Sequence, residues 1–381
     1  MKKFKNVVIG AGFSGLVATL KLVERGEDVA IVSENVGGLI SNYQIKDWSF
    51  DLGGHVYTTG HSELSKILEA IGAEKHVRKA IYKSRDNGDV LYPTQFQAKK
   101  LGLELDSQDP SGKYIEGDTL QSYAERTLGG SYYNEWFAPF NHRVWTTPPE
   151  QMSADWVAGR IAVPSDEEEN WGPNGEFYYA KGSKIISLLL EMIREAASNS
   201  GSKIVLVHQN VKHINRSSRT LTLMNKEKIF AHRIFSTMPI TELMSARSRR
   251  ELISNRVITL GVGLDVPFDA DWYWAYMDVK DRGHRVSVIS NHSPDNAPEG
   301  GSTLIMEIPY RKGFVEVPEA LSNLANSNDH IRHGKTDAHQ MALMFAAMGF
   351  GEIEPAADDR LWKAGFVSPA AFHRLSHNRG C

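Results

Sequence analysis

The stretch "KNVVIGAGFSGLVATLKLVERGEDVAIVSE", Lys5 to Glu34, constrains the fold more than any other part of the chain. Asn6 to Ile9 is a β-branched run of the kind that fills a buried strand. Gly10-Ala11-Gly12-Phe13-Ser14-Gly15 is a G-x-G-x-x-G turn. Leu16 to Arg25 has its apolar residues at helical spacing, and Glu27 to Val32 is a second strand. Strand, glycine turn, helix and strand in this order make a βαβ unit that binds a dinucleotide. Gly10 makes the turn, Gly12 lets a pyrophosphate touch the backbone, and Gly15 lets helix and strand pack closely. Phe13 and Ser14 open the helix, whose first N–H groups are offered to the phosphates.

The second strand of such a unit ends in an acid that holds the adenosine ribose, and Glu34 is the candidate. Gly37-Gly38, followed by Leu39, comes three residues later. A double glycine this close to the second strand points to FAD rather than NAD, because it lets the chain fold back over the phosphates. "WSFDLGGHVYTTGH" then closes a strand at Phe50-Asp51 and repeats the device at Gly53-Gly54. His55 follows directly, placed to touch an isoalloxazine ring. Further on, "KIVLVHQNVKHINRSSRTLTLMNKEKIFAHRIFSTMP" reads as a β-meander returning to the first domain. Val211 is expected to hold adenine through its backbone. Thr237 and Met238, in "STMP", return to the cofactor after a strand at Arg233 to Ser236.

Composition narrows the remaining classes. The chain has 381 residues and a net charge of −3, which gives no electrostatic footprint for nucleic acid. No apolar run reaches the length of a bilayer span, and no stretch reads as a signal peptide. The single cysteine, Cys381, excludes disulfides and cysteine-built zinc sites and makes a reducing cytoplasm the expected location. The histidine-rich "NDHIRHGKTDAH" lies in a polar stretch without an apolar shell, so no metal is expected.

Six further motifs occur in order: "FDLGGHVYTTGH", "PFNHRVWTTPPEQMSADWVAGRIAVP", "NWGPNGEFYYAKG", "FSTMP", "LGVGL" and "HRVSVISNHSPDN". They resemble the FAD-dependent UDP-galactopyranose mutases, most closely the eukaryotic-type branch. The resemblance runs from Lys5 to about Arg285 and more weakly to about Pro369; the Asn141 to Arg160 block is its most specific part. It implies an isomerase that interconverts the pyranose and furanose forms of a UDP-sugar. In that family N5 of the reduced flavin attacks the anomeric carbon. NADPH or NADH is the expected reductant. The resemblance makes His55, Arg160 and Arg285 the catalytic set, His55 beside the flavin and the two arginines on the diphosphate. Two guanidinium forks on one diphosphate are physically sensible, since each can bond two oxygens. Trp136, Asn141 and Trp145 match the uracil pocket. Arg85, Tyr92 and Gln97 match further nucleotide contacts, and Trp274 and Tyr276 match an aromatic pair beside the phosphates. The "NWGPN" loop borders the family's mobile flap. Trp156 is expected in the core, and His142 and Arg143 on the surface.

The resemblance fails at the carboxyl end. The family continues into a segment that covers the isoalloxazine ring, with a tyrosine pair on the diphosphate. Here Phe366 stands where the first tyrosine would be, and the second tyrosine and the covering segment have no counterpart. Two other accounts therefore stay open: an FAD-dependent oxidoreductase of the amine-oxidase-like group, and a non-catalytic flavin or nucleotide binder. The expected partners are a UDP-sugar and, for assembly, a second copy of the chain, with neither nucleic acid nor a membrane span. The expected fold is α/β. A Rossmann-like FAD-binding domain with a parallel sheet comprises residues 1–60 and 180–245. A helical substrate or insertion domain covers 61–179, and an antiparallel-sheet domain with carboxyl-terminal helices covers 246–381.

Overall fold

The computed structural model describes residues 1–58, 62–157, 161, 175–244, 248, 252, 254–279, 283–311, 332–333 and 364–373. The chain divides into two compact units. The first comprises Met1–Asn42, Glu69–Gly72 and Ala180–Arg250, the second Tyr43–Leu68, Ala73–Tyr179 and Glu251–Cys381.

The first unit is built on the βαβ motif. Strand β1 (Lys2–Gly12) leads into helix α1 (Phe13–Val23), and strand β2 (Val29–Gly37) runs parallel to β1. Both strands are longer than their apolar runs suggest, because neighbours extend them. Lys2, Lys3 and Phe4 pair with Ile229, Phe230 and Ala231, and Val36 and Gly37 pair with Ala11 and Gly12. Glu34 therefore lies inside β2 rather than at its end. The strands Ile204–Val207 and Lys228–Ser236 complete a four-stranded parallel core, and Thr220–Leu223 and Val211–Asn215 add two antiparallel strands at one edge. Val7, Ile9, Ala30, Val32, Leu221, Leu223, Ile229 and Ala231 form the buried centre of the sheet. The helix Gly182–Ser200 buries Ile185, Leu189 and Ile193, one residue per turn, and ends at Gly201 in the left-handed region.

The second unit is dominated by an eight-stranded mixed sheet. Its strands come from both of the later segments: Ala80–Ser84 and Gly88–Leu91 from the presumed helical part, the rest from residues 254 onward. Trp274–Met277 runs parallel to Ala80–Ser84 and joins the two groups. The expected 61–179 and 246–381 domains are thus one unit, because one sheet runs through both. Residues 43–58 also belong to it rather than to the nucleotide-binding unit. Trp48 and Phe50 of the strand Trp48–Asp51 pack on Ile289 and Ile305. Helices Leu120–Leu128 and Ala138–Trp145 carry a second core rich in aromatic rings, including Tyr123, Tyr132, Trp136, Phe137 and Phe140. Among the described residues no helix is long and apolar enough to cross a membrane.

Candidate functional site

The glycine turn of the first unit has the geometry of a phosphate cradle. Gly10 has φ +97° and sits at the register shift between β1 and β2. A Cβ there would come within 2.3 Å of Thr237 Oγ1. Thr237 is fixed against the turn, since its N–H and Oγ1 both donate to the carbonyl of Ile9, at 3.0 and 2.8 Å. A Cβ on Gly15 would lie 2.0 Å from the carbonyl oxygen of Gly10, so helix and turn pack backbone to backbone. At Gly12 the nearest atoms, in Gly37 and Gly38, are 3.7 and 3.8 Å away. Gly12 is also the N-cap of α1 and makes no side-chain cap bond, and no acidic residue occupies the first turn. The helix thus starts with backbone donors that no local carboxylate competes for, which suits a pyrophosphate. Phe13 is half-buried, while Ser14, Gly38 and Leu39 are exposed. Glu34, also exposed, accepts a hydrogen bond from Asn210 Nδ2. Asn210 lies just before Val211, whose ladder partner is Leu223. Met238 is half-buried beside the core of this unit.

In the second unit the alternation of the large sheet sorts side chains onto two faces. Ala275, Met277, Val286, Val288, Leu304, Met306 and Ile308 join the core on one face. On the other face Tyr276 stands directly opposite Arg285, and Arg285 directly opposite Glu307. Trp274 lies two residues from Tyr276, on the same side. Arg285 Nε donates to Glu307 Oε2, and the Glu307 side chain is 7% exposed. Burial pulls down the pKa of Arg285, but the carboxylate of Glu307 outweighs this and the net shift is upward. Tyr92 packs against Tyr276 with ring centroids 4.2 Å apart and the rings tilted by 39°. Burial, then the neighbouring Tyr276, raises the Tyr92 pKa, against the pull of Arg78 and Arg285. A Cβ on Gly54 would meet Arg285 Nη2 at 2.8 Å. The second double glycine is therefore pressed against this arginine.

His55, directly after Gly54, is 7% exposed, with Nδ1 3.1 Å from Asp51 Oδ1. Asp51 is fully buried and accepts a 2.8 Å hydrogen bond from the Tyr179 hydroxyl, which in turn accepts from Asn296 Nδ2 at 2.7 Å. His292 lies in a box of rings, stacked on Tyr179 and Tyr273 at 4.9 and 5.2 Å. Burial pushes its pKa down to about 3, so the ring is neutral at physiological pH. His284 is likewise held well below its usual pKa, first by burial and then by Arg143 and Arg285.

Tyr92, Trp274, Tyr276, Arg285, Gly53, Gly54 and His55 thus come together within one unit. Other expected residues are placed differently. Trp136 is buried and stacked on Phe140 at 4.4 Å, with Tyr82 and Tyr132 beside it, so its rings neighbour core aromatics. Asn141 is also spent on the protein: its Nδ2 donates to Phe137 O, and its Oδ1 accepts from Trp145 Nε1 at 3.2 Å. Trp145 meets Trp156 edge-on at 5.9 Å, both half-buried. Gln97 is half-buried on the 3-10 helix Thr94–Leu101, and Arg85 is exposed, its N–H donating to Asp278 Oδ2. Arg160 and the "NWGPN" loop lie outside the described residues, as do the side chains of the histidine-rich stretch. Arg143 is not a surface residue. It is 8% exposed, and its guanidinium donates to the carbonyls of Met277 and Asp278. The sequence reading also missed Glu307, Arg78, Asp51 and the two buried histidines. The signal for Glu307 was a lone acid in the apolar alternation "STLIMEIPY". Among the described residues no group of histidine, cysteine or acidic side chains is arranged to hold a metal.

Three comparisons bear on this arrangement. Residues 8–71 match the model of an NAD(P)-binding Rossmann-like domain. The chain is 25% identical over 185 residues to a probable UDP-galactopyranose mutase of Klebsiella pneumoniae, covering 44% of this chain and 47% of that protein. It is 30% identical over 107 residues to an L-amino-acid oxidase of Sistrurus catenatus edwardsii, covering 23% of this chain and 21% of that protein. The chain thus spans less than half the length of these relatives. In structure it is similar to a reduced UDP-galactopyranose mutase, with a TM-score of 0.75 and 21% identity over 97% of this chain and 82% of that one. The shared property is a fold: a Rossmann-type nucleotide-binding unit joined to a mixed-sheet unit. The mutase relative in sequence is bacterial, and none of these matches singles out the eukaryotic-type branch that the motifs suggested.

Proposed function

We propose that the protein is a flavin-dependent enzyme of the mutase type that binds FAD on the first unit and a UDP-sugar at the aromatic and cationic cluster of the second. The convergence of Tyr92, Trp274, Tyr276 and Arg285 beside Gly54 and His55 carries this reading. Flat rings suit a pyrimidine or a sugar face, and guanidinium groups suit phosphoryl oxygens. The similarity to UDP-galactopyranose mutases in sequence and in structure supports the same class of substrate. The glycine turn fits the cofactor, since Gly10 and Gly15 are filled by backbone and Thr237 while Gly12 leaves its face accessible. Reduced FAD would supply the nitrogen nucleophile that a ring-size interconversion without net redox needs. The protein's own contributions are positional and electrostatic. Tyr92, with its raised pKa, keeps its proton at neutral pH and is a hydrogen-bond donor. Glu307 fixes the fork of Arg285 along the sheet row. Asp51 sets a carboxylate within ion-pair distance of the His55 ring.

The test is conversion of UDP-galactofuranose to UDP-galactopyranose by the purified protein after dithionite or NADPH reduction, without oxygen uptake. Hydrogen peroxide released from an amine or amino acid by the oxidised protein would instead favour the oxidase reading, for which the similarity to the L-amino-acid oxidase speaks. A colourless protein that does not take up FAD would remove both.

A further inference from the structure

Three arginines border the ring cluster, and they differ in what their guanidinium groups already hold. Arg143 gives Nη1 and Nη2 to the carbonyls of Asp278 and Met277. Arg285 is matched to Glu307. Arg78 has neither kind of partner. Among the described residues no carboxylate lies within ion-pair distance of it, and its buried Nε has no acceptor. Only its backbone is engaged there, with N–H donating to Gly175 O at 2.8 Å.

The position of Arg78 follows from the sheet. Arg78 lies in the short link between the strands Glu74–Val77 and Ala80–Ser84, two residues before Ala80, the ladder partner of Trp274. Its guanidinium carbon lies 5.4 Å from the ring centre of Tyr92 and 5.6 Å from that of Trp274. Ring faces attract the charge but leave in-plane N–H donors unanswered. A buried donor without an acceptor is costly, and an incoming oxyanion relieves that cost. Arg78 and Arg285 both pull down the pKa of the Tyr92 hydroxyl, so both cations lie near it.

We infer that Arg78 is the principal anion-binding residue of this cluster and takes the phosphoryl oxygens of a diphosphate, while Arg285, neutralised by Glu307, plays the lesser part. This rests on the reading of the cluster as a nucleotide-sugar site and goes beyond the pair of arginines that the motifs suggested. The physical reason is charge balance: of the two arginines near Tyr92, the one with no counter-ion among the described residues gains more from a dianion.

The experiment is isothermal titration calorimetry of the flavin-loaded protein at low salt, with UDP, uridine and inorganic pyrophosphate as probes. Arg78→Gln should weaken UDP and pyrophosphate by roughly tenfold or more and leave uridine unchanged. Arg78→Lys, which keeps the charge and loses the fork, should fall between, and guards against loss of fold in the first variant. Arg285→Gln should cost less than Arg78→Gln. The inference is overturned if Arg78→Gln binds UDP and pyrophosphate within about twofold of the wild type. It is equally overturned if uridine weakens in parallel, because Arg78 would then only pack the rings. Wild-type protein that binds pyrophosphate but not UDP would end the nucleotide reading while leaving Arg78 to be judged on its own variants. Binding of neither would end both.

Discussion

The glycine cradle of the first unit and the ring-and-arginine cluster of the second are built by opposite means. The cradle is backbone. Its parts lie within some thirty residues, its geometry is set by where side chains are missing, and its donors are N–H groups that any sequence possesses. The cluster is made of side chains brought from residues 78, 92, 274, 276, 285 and 307, which separate strands and the links between them carry together. It holds buried charge, and the Arg285–Glu307 pair depends on both of its members. A cradle fails when an atom is added. A cluster fails when a partner is removed. The predictions below follow from that difference, and two signals separate the units cleanly. All eight tryptophans belong to the second unit, so their fluorescence reports it alone. Bound flavin would report the first.

The largest effect is expected at Gly15. An added methyl would stand 2.0 Å from the Gly10 carbonyl, which is backbone and has nowhere to go. Gly15→Ala should cost about 2–3 kcal/mol, as overpacking does, and strip the flavin from the purified protein. Gly12→Ala is the control within the cradle. Its Cβ meets only ordinary contacts, so melting should barely change while flavin retention falls. A Gly15→Ala protein that stays yellow and melts with the wild type would refute the close-packed turn. Next comes Glu307→Ala, which leaves Arg285 without its counter-charge on a largely buried face. The expected loss is about 2 kcal/mol in urea denaturation followed by tryptophan fluorescence, less than for a fully buried pair because the Arg285 side chain is a fifth exposed. Adding Arg285→Ala to that variant should recover part of the loss, since the uncompensated charge is then gone. Additive losses would mean that the pair carries no mutual energy.

Acid should act on the cluster through its buried histidines. His292 keeps its folded pKa at about 3, below the ordinary value near 6.5 of an unfolded histidine. Above about pH 6.5 both states are neutral and the ring costs nothing. As the pH falls from there towards 3, the unfolded chain takes up a proton that the folded chain refuses, and stability is lost. At pH 5 the loss from His292 alone is about 2 kcal/mol relative to pH 7, with His284 acting in the same direction. His292→Phe should flatten this part of the profile. If the tryptophan-monitored stability of the variant fell as steeply between pH 7 and 5 as that of the wild type, the buried ring would not be the cause.

The same contrast explains what could be read from sequence. The cradle was legible almost residue by residue, because a βαβ unit with its glycines is a local pattern and, Thr237 apart, its contacts lie close along the chain. Even there, partner strands lengthened β1 and β2 and moved Glu34 into the strand. In the cluster the aromatic and arginine identities were legible through resemblance, but not their partners. Glu307 meets Arg285 only because two strands pair in one register. Arg143 looked like a surface residue because its acceptors, the carbonyls of Met277 and Asp278, come from a distant strand end. Trp136 looked like a stacking platform, and a single chain segment cannot reveal that its rings stack on one another.

Gly54 gives the smallest effect and the sharpest choice between the two kinds of site. By sequence it belongs to the cradle type, a double glycine that lets backbone approach a cofactor. By structure it is the point where Arg285 presses on the chain, with Nη2 at 2.8 Å from the position of an added Cβ. The neighbour is the end of a side chain rather than backbone, so it can yield, and Gly54→Ala should cost no more than about 1 kcal/mol. The yielding is restricted, because Glu307 holds the guanidinium from the opposite strand and the arginine must swing about that anchor. The expected result is a few-fold loss of UDP affinity with flavin retention unchanged. Loss of flavin with UDP affinity intact would instead return Gly53-Gly54 to the cofactor and make the contact with Arg285 incidental. The two outcomes differ in which unit's ligand is lost, so one purified variant, titrated with UDP and scanned for flavin absorbance, decides between a glycine kept for the cofactor and a glycine kept for the arginine.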